Sequence, residues 1–362
     1  ALQIAEYHGI IAVLFYGIHN SGILVPANVG DWLKQKTYEA IVIDECQTEE
    51  ITSLLAEFSS RKIDYMPLKG ILMKRMYPNS EMRFMSDGDI LIHTEQRDEI
   101  ASILRNRGYT EGLESDHEFK WSKPPYLNIE LHKRIIPSYN KDYFSYYGDG
   151  WRLAQKSNKD NSCWEMSQED ELIYMFTHFS KHYRDSGIGL KHMIDFRVFR
   201  NRHPHLEQEY VQRELEKLGL YKFYQNVTET LAVWFDQAPC SDMTDFLTER
   251  IFASGQYGQF KEKLLASAVK GIKAGGTAKS YRRRKFLKAV FSSSLLFTEN
   301  PILIKLPILL PFFWIRRVFI MLFFQRDKIT GKWKELQSTS DEKIEQYQNE
   351  LKYVGLDFHF DK

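Results

Sequence analysis

Two carboxylates placed two residues apart, Asp87 and Asp89, are the feature of this sequence that most directly suggests chemistry. Alternate residues of an extended strand face the same way, so both side chains would lie on one face, about 6.5–7 Å apart along the chain. Like charges at this spacing resist joint ionisation unless a cation lies between them. Mg²⁺ prefers oxygen ligands, and two such ions can hold the attacking and leaving oxygens of a phosphoryl transfer. The pair therefore predicts a metal site for phosphoryl transfer.

A third carboxylate, Glu130, lies in the segment 126–135, which alternates like a strand. Glu130 shares a face with Asn128 and His132, whereas the opposite face is apolar. On a strand next to the Asp pair, Glu130 would complete a metal site. His132 would orient the acceptor or a carboxylate, and the alternative is a packed, hydrogen-bonded histidine without a catalytic role.

The turn before the acids has the residue types of a phosphate site. A short strand candidate, 65–68, runs into Lys69 and Gly70, and a helical stretch follows. Backbone N–H groups at such a junction can hold phosphate. Arg83 adds a permanent cation four residues before Asp87. An isolated Asp-x-Asp also occurs on surfaces without function, so these neighbours are what favour a catalytic interpretation.

The remaining pattern divides the chain into three parts. Residues 1–60 are predicted to be a helical segment that packs on the core. The chemistry falls in the α+β unit 61–160, with a strand predicted over 84–93 and a helix from Thr94 to about Arg107. Residues 161–362 are predicted to be a helical C-terminal domain. Its helices are expected at 168–182, 191–200, 206–218, 227–235 and 340–354.

Composition is that of a soluble globular protein, with 43% hydrophobic and 27% charged residues over 362 positions. The net charge of +1 gives no field that attracts nucleic acid, so no DNA partner is expected. Three distant cysteines argue against a disulfide framework and a zinc site, and favour a reducing compartment. Residues 1–19 lack the features of a signal peptide, so a cytoplasmic protein is expected. Nothing in the sequence predicts the oligomeric state.

Two late segments have alternative interpretations. The apolar segment 286–324 contains uncharged runs only at 306–315 and 318–325, too short to span a bilayer. We expect it to pack mainly against the rest of the protein, and a weak contact with a membrane surface is the alternative. The basic run 279–288 is expected to be a solvated helix end, with RNA, anionic lipid or an acidic partner as alternatives.

Several segments together resemble the bacterial uncharacterised nucleotidyltransferase family, a branch of the polymerase-beta-like superfamily. In and beside the α+β unit, the matching segments are Met66–Gly70, Met76–Pro78, Arg83–Ile92 and Ile129–His132. Further matches lie at Ala5–Gly9, His178–Asp195, Phe252–Gly258 and Leu309–Trp314. The resemblance covers nearly the whole chain, and the combination is more specific than any one segment.

The resemblance implies an α+β fold with a polymerase-beta-like core, a small mixed sheet with helices. N-terminal helices and a larger C-terminal helical region would flank this core. The implied activity is transfer of a nucleoside monophosphate from an NTP to an unidentified acceptor hydroxyl, with release of pyrophosphate. It implies that Asp87 and Asp89 bind Mg²⁺ or Mn²⁺ and that Glu130 binds metal or acts as base. Expected nucleotide contacts are Lys69, Gly70, Arg83 and Ser86.

Four polar residues of the helical part, His178, Lys181, His182 and Arg184, lie on or just after one predicted helix. We expect Lys181 and Arg184 to reach the nucleotide, and His182 to help orient the acceptor. The alternative is a solvated helix face. A zinc site formed by His178 and His182 is disfavoured, because no acidic partner of the usual motif accompanies them.

Two departures from the superfamily pattern keep other functions open. Ile71 follows Gly70 where the superfamily usually has Gly or Ser, and Gly88 replaces an aliphatic residue between the acids. A catalytically degenerate module that binds a nucleotide or a partner therefore stays an alternative. So does an Asp-x-Asp glycosyltransferase, which is disfavoured because residues 1–60 do not show its βαβ pattern.

Overall fold

The N-terminal region is helical, as the sequence predicts, and consists of three helices: α1 (Leu2–His8), α2 (Ile11–Ser21) and α3 (Ala27–Ser60). Gly9 and Gly22 end the first two helices in the left-handed conformation, each with φ 67°, which glycine adopts at little cost. The long helix α3 then carries a buried apolar stripe near its end, formed by Ile51, Leu54, Leu55 and Phe58.

The structure is a computed structural model that describes residues 1–158, 160–255, 258, 260–273, 277–291, 296, 300, 302–323 and 340–358. The strands are β1 (Tyr65–Pro67), β2 (Gly88–Ile92), β3 (Thr110–Glu114), β4 (Glu118–Lys123), β5 (Leu127–His132), β6 (Ala154–Lys156) and β7 (Trp164–Met166). The helices around them are α4 (Gly70–Met73), α5 (Arg97–Asn106) and α6 (Lys141–Tyr147).

Five strands form one mixed sheet in the order β1-β2-β5-β4-β3. Strands β2 and β5 are parallel, and the other neighbouring pairs are antiparallel. Strands β6 and β7 form a separate two-stranded sheet. The predicted α+β fold with a small mixed sheet and flanking helices is therefore confirmed.

One face of the five-stranded sheet is apolar and packs against helices α3 and α5. Its strand residues are Ile90, Ile92, Phe119, Trp121, Ile129 and Leu131. A Cβ added to Gly88 would lie 3.0 Å from Ile51 Cδ1 and 3.2 Å from Ile129 Cδ1. The glycine between the acids thus has a packing reason, since it lets α3 approach the start of β2.

Two predicted elements are shorter than expected and a hairpin was missed. Strand β2 covers only Gly88–Ile92 of the predicted 84–93, so Asp87 precedes the strand. Helix α5 begins at Arg97, after a 3₁₀ turn at Thr94–Gln96. The β3–β4 hairpin was not predicted, although Glu118–Lys123 alternates between polar and apolar residues.

The described part of the chain after β7 consists of helices and their connections, as predicted. Its helices are α7 (Gln168–Asp185), α8 (Leu190–Arg202), α9 (Gln208–Lys217), α10 (Tyr221–Phe235), α11 (Asp242–Ser254), α12 (Phe260–Lys273), α13 (Ala278–Phe291), and the helices Ile302–Lys305, Leu310–Phe323 and Asp341–Tyr353. The chain divides into two compact units. The first comprises Ala1–Tyr183, Gly187–Gly258 and Val354–Lys362, and the second comprises Arg184–Ser186 and Gln259–Tyr353.

The described part of the late apolar segment is more exposed than expected. Leu303 is buried, but large apolar side chains are exposed at Ile302, Leu306, Ile308, Phe312, Ile315 and Phe319. The prediction that this segment packs mainly against the rest of the protein is therefore wrong for these residues. The helix Leu310–Phe323 carries more apolar side chains than one packed face can cover, which leaves Phe312, Ile315 and Phe319 exposed. Within the described residues, no helix has the length and apolar character needed to cross a bilayer.

Candidate active site

Asp89 and Glu130 lie side by side on the polar face of the five-stranded sheet. Parallel strands β2 and β5 pair them in register. Both residues alternate with apolar neighbours that face helix α3, so the same alternation that builds the core turns these carboxylates to the opposite face. Strand β4 extends this face, because Lys120 pairs with Glu130 and Glu118 pairs with His132. The sequence predicted Glu130 on a strand next to the Asp pair, and the structure places Asp89 and Glu130 side by side on this face.

Asp89 is almost fully buried and has two partners. Lys69 Nζ and His132 Nε2 each lie 2.7 Å from Asp89 Oδ1. Burial alone would raise the pKa of Asp89, but the charge of Lys69 and the hydrogen bond from His132 outweigh it and hold this pKa well below its usual value. Asp89 is therefore ionised, and because both contacts use Oδ1, Oδ2 is the oxygen that a metal ion would take.

His132 is buried and close to both acids. Burial lowers its pKa, and the charge of Lys69 lowers it further. A neutral ring carries one N–H, so the short contact to Asp89 makes Nε2 the donor. Nδ1 is buried and has no hydrogen-bond partner among the described residues.

The pKa of Glu130 is shifted in the opposite direction to that of Asp89. Burial and the charge of nearby Asp87 raise the pKa of Glu130 to about 7, although Lys120 donates to it. Lys120 Nζ lies 2.5 Å from Glu130 Oε1 and 2.9 Å from Glu118 Oε1, with a side chain that is 49% exposed. The two carboxylates of one site thus have pKa values pushed apart, an arrangement typical of acid–base and metal sites.

Asp87 and Ser86 lie in the loop just before β2. Ser86 Oγ donates to Asp87 Oδ1 at 2.9 Å, and the Ser86 carbonyl accepts from Asn128 on β5. Asp87 is half-buried. Its charge acts on Glu130, Lys69 and Lys191, so it belongs to the same electrostatic site.

The turn after β1 has the predicted strand-to-helix arrangement. Lys69 has φ 47°, and Gly70 is the first residue of the short helix α4. Gly70 is buried, and a Cβ there would lie 2.9 Å from Met85 Cγ and Sδ. The glycine therefore accommodates Met85, which is a packing reason additional to the predicted approach of phosphate.

Arg83 does not face solvent but forms a buried ion pair with Asp195 of α8. Its Nε lies 2.7 Å from Asp195 Oδ1 and 3.0 Å from Oδ2. Tyr77 also donates to Asp195 Oδ1, at 2.8 Å. Arg83 thus links the segment before the acids to helix α8 through this ion pair.

Lys191 is a buried cation near the acids that was not predicted from the sequence. It lies at the start of α8, 8% exposed, with Nζ 5.9 Å from the ring centre of Phe84. Burial and the charge of Arg83 lower the pKa of Lys191 to about 7. The one feature of the sequence that pointed to Lys191 is its place in the segment His178–Asp195, which resembles the nucleotidyltransferase family.

The predicted residues of the helical part do not all converge. His178 and His182 contact each other through Nε2 atoms 3.0 Å apart. Burial lowers the pKa of His178 well below its usual value, and the charges of His182, Lys69 and Lys181 lower it further, so His178 lies within reach of the charges of both lysines. Arg184 is fully buried and belongs to the second unit, where its Nε lies 3.3 Å from Asp185 Oδ1.

Two groups of side chains among the described residues could hold a metal ion. One is Asp89, Glu130 and His132, and the other is His117, Glu118 and His132. In each group, ligand atoms lie within 4.8 Å of one another. The first group contains two of the three predicted acids and fits a divalent cation, because carboxylate oxygens are its preferred ligands. His178 and His182 belong to neither group.

A cavity of about 300 Å³ adjoins the Lys69 turn. Its lining includes Lys69, Tyr174, Glu165 and Glu171. Burial raises the pKa of Glu171 to about 7, and the charge of Glu165 contributes. The charges of Lys69 and Asp89 act on Tyr174, so this cavity lies close to the polar face.

A model of the family described as uncharacterised nucleotidyltransferases matches residues 1–236. No curated protein matches the chain by sequence. A solution structure of the antibiotic-resistance factor ANT(2'')-Ia is similar to 54% of this chain and 100% of its own, with 14% identity and a TM-score of 0.36. A crystal structure of ANT(2'')-Ia in complex with adenylyl-2''-tobramycin is similar to 48% of this chain and 97% of its own, with 15% identity and a TM-score of 0.37. These low scores carry no information about an acceptor.

Proposed function

The chain belongs to the family of uncharacterised nucleotidyltransferases, and on this basis we propose a metal-dependent transfer of a nucleoside monophosphate from an NTP to an acceptor hydroxyl, with release of pyrophosphate. The observation that carries the proposal is the pairing of Asp89 and Glu130 in register on one polar face, next to Asp87. Such a set of carboxylates on a sheet face, with cations at its edge, fits phosphoryl transfer.

Asp87, Asp89 and Glu130 are the proposed ligands of Mg²⁺ or Mn²⁺. When bound, such ions supply positive charge that stabilises the attacking and leaving oxygens. Asp89 is suited to this role because Lys69 and His132 keep it ionised while both use only one of its oxygens. Asp87 precedes the strand, so its side chain has the freedom of a loop residue to complete the site.

Glu130 is the proposed base or ligand that helps deprotonate the acceptor hydroxyl. A base works best when its pKa is near the working pH, and the pKa of Glu130 is raised to about 7. Lys120 reaches Glu130 from β4 with a half-exposed side chain. We propose that Lys120 moves away when a cation takes its place. His132 and His182 are the proposed orienting residues for acceptor or carboxylate.

Nucleotide contacts are proposed for Lys69, Gly70, Ser86 and Lys181, with Arg83 acting through its pair with Asp195. Arg184, expected from the sequence to reach the nucleotide, is fully buried and is not part of the proposed site. Lys191 is a further candidate. A lysine near the acids offsets the negative charge that builds up on the phosphates during transfer. The neutral form of Lys191 is accessible in the metal-free protein, and an added triphosphate would favour its charged form by the proximity of negative charge.

A binding and turnover screen tests the proposed function. The purified chain is mixed with each of the four NTPs and with Mg²⁺, Mn²⁺ or a chelator. Pyrophosphate release, NTP binding by calorimetry and the intact mass of the protein are then measured. We expect one or more NTPs to bind only with metal. Asp87→Asn should weaken this binding at least tenfold while the far-ultraviolet circular dichroism stays unchanged.

A matched control separates the site from general charge effects. Asp98→Asn removes the same charge from a side chain on α5 that is 92% exposed, and should bind NTP like the wild type. NTP binding that persists with a chelator and in Asp87→Asn would instead favour a catalytically degenerate binding module.

A weak contact between residues 286–324 and a membrane surface is also proposed. The exposed apolar side chains Ile308, Phe312, Ile315 and Phe319 recur at helical spacing, with Arg316 exposed beside them. Co-sedimentation with vesicles that contain anionic lipid tests the proposal. Binding should fall when Phe312 and Ile315 are replaced by Ser, and vesicle binding that is unaffected by both changes would contradict it.

A further inference from the structure

A second group of metal-binding side chains lies beside the acids on strands β4 and β5. His117, Glu118 and His132 each offer one ligand atom, and these three atoms lie within 4.8 Å of one another. Glu118 begins β4 and pairs across the sheet with His132, the last residue of β5. Two imidazoles and one carboxylate, with a fourth position open to water, are a ligand set that binds Zn²⁺ in proteins.

His117 is already oriented as a metal ligand would be. Its Nδ1 lies 3.3 Å from Ser115 Oγ, and its Nε2 lies 3.0 Å from Glu118 Oε2. Metal-binding histidines usually have their second ring nitrogen held by a protein partner, which fixes the tautomer and the direction of the first. Ser115 fills that role here and directs Nε2 of His117 to the carboxylate.

His132 contributes a buried nitrogen that lacks a partner. Its side chain is 1% exposed, and its Nε2 is engaged by Asp89 at 2.7 Å. Nδ1 is buried and has no hydrogen-bond partner among the described residues, which is unfavourable for a polar atom. Because the strand order places Asp89 on one side of His132 and Glu118 on the other, Nδ1 is the nitrogen left for a ligand.

We propose that His117, Glu118 and His132 bind one divalent transition-metal ion of the zinc class. The ligands are Nε2 of His117, Oε2 of Glu118 and Nδ1 of His132. Two ligands of a tetrahedral zinc ion lie about 3.3–3.6 Å apart, close to the 3.0 Å between Nε2 of His117 and Oε2 of Glu118. The contact of Lys120 with Glu118 uses Oε1 and leaves Oε2 for the ion.

This site is separate from the metal site proposed for the three acids, but His132 connects them. The chain Asp89–His132–ion is a carboxylate–histidine–metal arrangement, in which the carboxylate orients the ring. A bound ion would lock His132 in the tautomer that donates from Nε2, and so hold Asp89 in place. This consequence rests on the proposed function, whereas binding of the ion does not.

Zinc titration of the whole chain tests the proposal. The protein is first stripped with a chelator, and Zn²⁺ is then added against a chromogenic competitor in excess Mg²⁺, which occupies hard oxygen sites. We expect one Zn²⁺ per chain, and at least tenfold weaker binding in His117→Ala and in Glu118→Gln. His205→Ala, at an exposed histidine elsewhere, and Asp87→Asn should bind Zn²⁺ like the wild type.

Cobalt provides a second measurement. Co²⁺ in a four-coordinate nitrogen and oxygen site absorbs visible light more strongly than hydrated Co²⁺, and His117→Ala should lose this band while keeping its circular dichroism spectrum. The proposal is overturned if the wild type binds no Zn²⁺, or if His117→Ala and Glu118→Gln both bind it with unchanged affinity. Loss of Zn²⁺ in Asp87→Asn, with retention in His117→Ala, would also overturn it and assign the ion to the acids. NTP binding is measured separately, so failure here leaves the proposed transfer activity untouched.

Discussion

The two faces of the five-stranded sheet have different roles, one in stability and one in the candidate active site, although alternating residues of the same strands form both. Ile129 and Leu131 face helix α3, and Glu130 and His132 face the other way. Hydrophobic burial stabilises the first face without directional demands. The polar face instead contains ionisable groups whose pKa values are shifted in opposite directions, as in Asp89 and Glu130.

The apolar face therefore holds the strands in register, and this register brings the acids together on the polar face. A shift of one residue in β5 would turn Glu130 into the core. We therefore expect changes on the two faces to separate activity from stability, even at adjacent positions.

The largest expected effect is on activity, from Glu130→Gln. Loss of the proposed base or ligand should lower turnover about 10²–10⁴-fold. The amide keeps the shape of the side chain, so the midpoint of thermal unfolding should not fall. Steady-state pyrophosphate release and calorimetry measure the two quantities. Wild-type turnover in this variant would remove Glu130 from the mechanism.

The neighbouring substitution Ile129→Ala should act on stability. Ile129 is 1% exposed, and its removal should lower the free energy of unfolding by about 2–5 kcal/mol. Urea denaturation measures this loss. Turnover per folded molecule should change far less than in Glu130→Gln. If the two adjacent variants lost activity to the same degree at equal folding, the separation of tasks between the faces would be wrong.

A third experiment tests why glycine separates the acids. Gly88→Ala places a Cβ 3.0 Å from Ile51 Cδ1 and should cost about 1–3 kcal/mol of stability. Ile51→Val removes that Cδ1 atom. The double variant should therefore be more stable than the sum of the single effects by about 0.5 kcal/mol or more. Additive effects in urea denaturation would show that the contact does not limit residue 88.

The smallest expected effect is a pH dependence of stability in the metal-free protein. The folded-state pKa of Glu130 is raised to about 7, above its value in the unfolded chain, so the folded state holds its proton more tightly. Stability linked to Glu130 is therefore lost as pH rises from about 4.5 to about 7. Compared with wild type, Glu130→Gln should gain about 1–2 kcal/mol over this range, after allowance for solvent screening.

Denaturation of both proteins at pH 4.5, 6 and 8 in a chelator measures this gain. An excess of Mg²⁺ should reduce it, because a bound cation favours the charged carboxylate. A constant difference between the two proteins across pH would mean that Glu130 titrates normally.

Local pattern was sufficient for much of the fold and for part of the site. The period of two in 126–135 predicted both the strand and the shared face of Glu130 and His132. Helical periodicity similarly predicted α7 to α10. The ends of the strands were less well predicted. Asp87 is two residues from Asp89, as the alternation requires, but it lies outside the hydrogen-bonded strand β2.

Contacts between residues distant in sequence could not be predicted in this way. Arg83 was expected to serve the nucleotide, but its carboxylate partner, Asp195, lies 112 residues further along. Lys120 and Glu118 came to the site only through the pairing of β4 with β5. The periodicity within one strand does not predict which other strand pairs with it in the sheet.

The alternation of polar and apolar residues along β2 and β5 is written in the sequence, so each acid, Asp89 or Glu130, lies on the face away from the apolar side chains of its own strand. That β2 and β5 become parallel neighbours, which brings the two acids together, depends on the tertiary structure. The tertiary structure also decided that Lys69 and His132 reach Asp89, so that one acid is held ionised while the other retains a proton near neutral pH. The physical reason is that alternation follows from the geometry of one strand, whereas burial and Coulomb interactions depend on which groups the whole fold brings together.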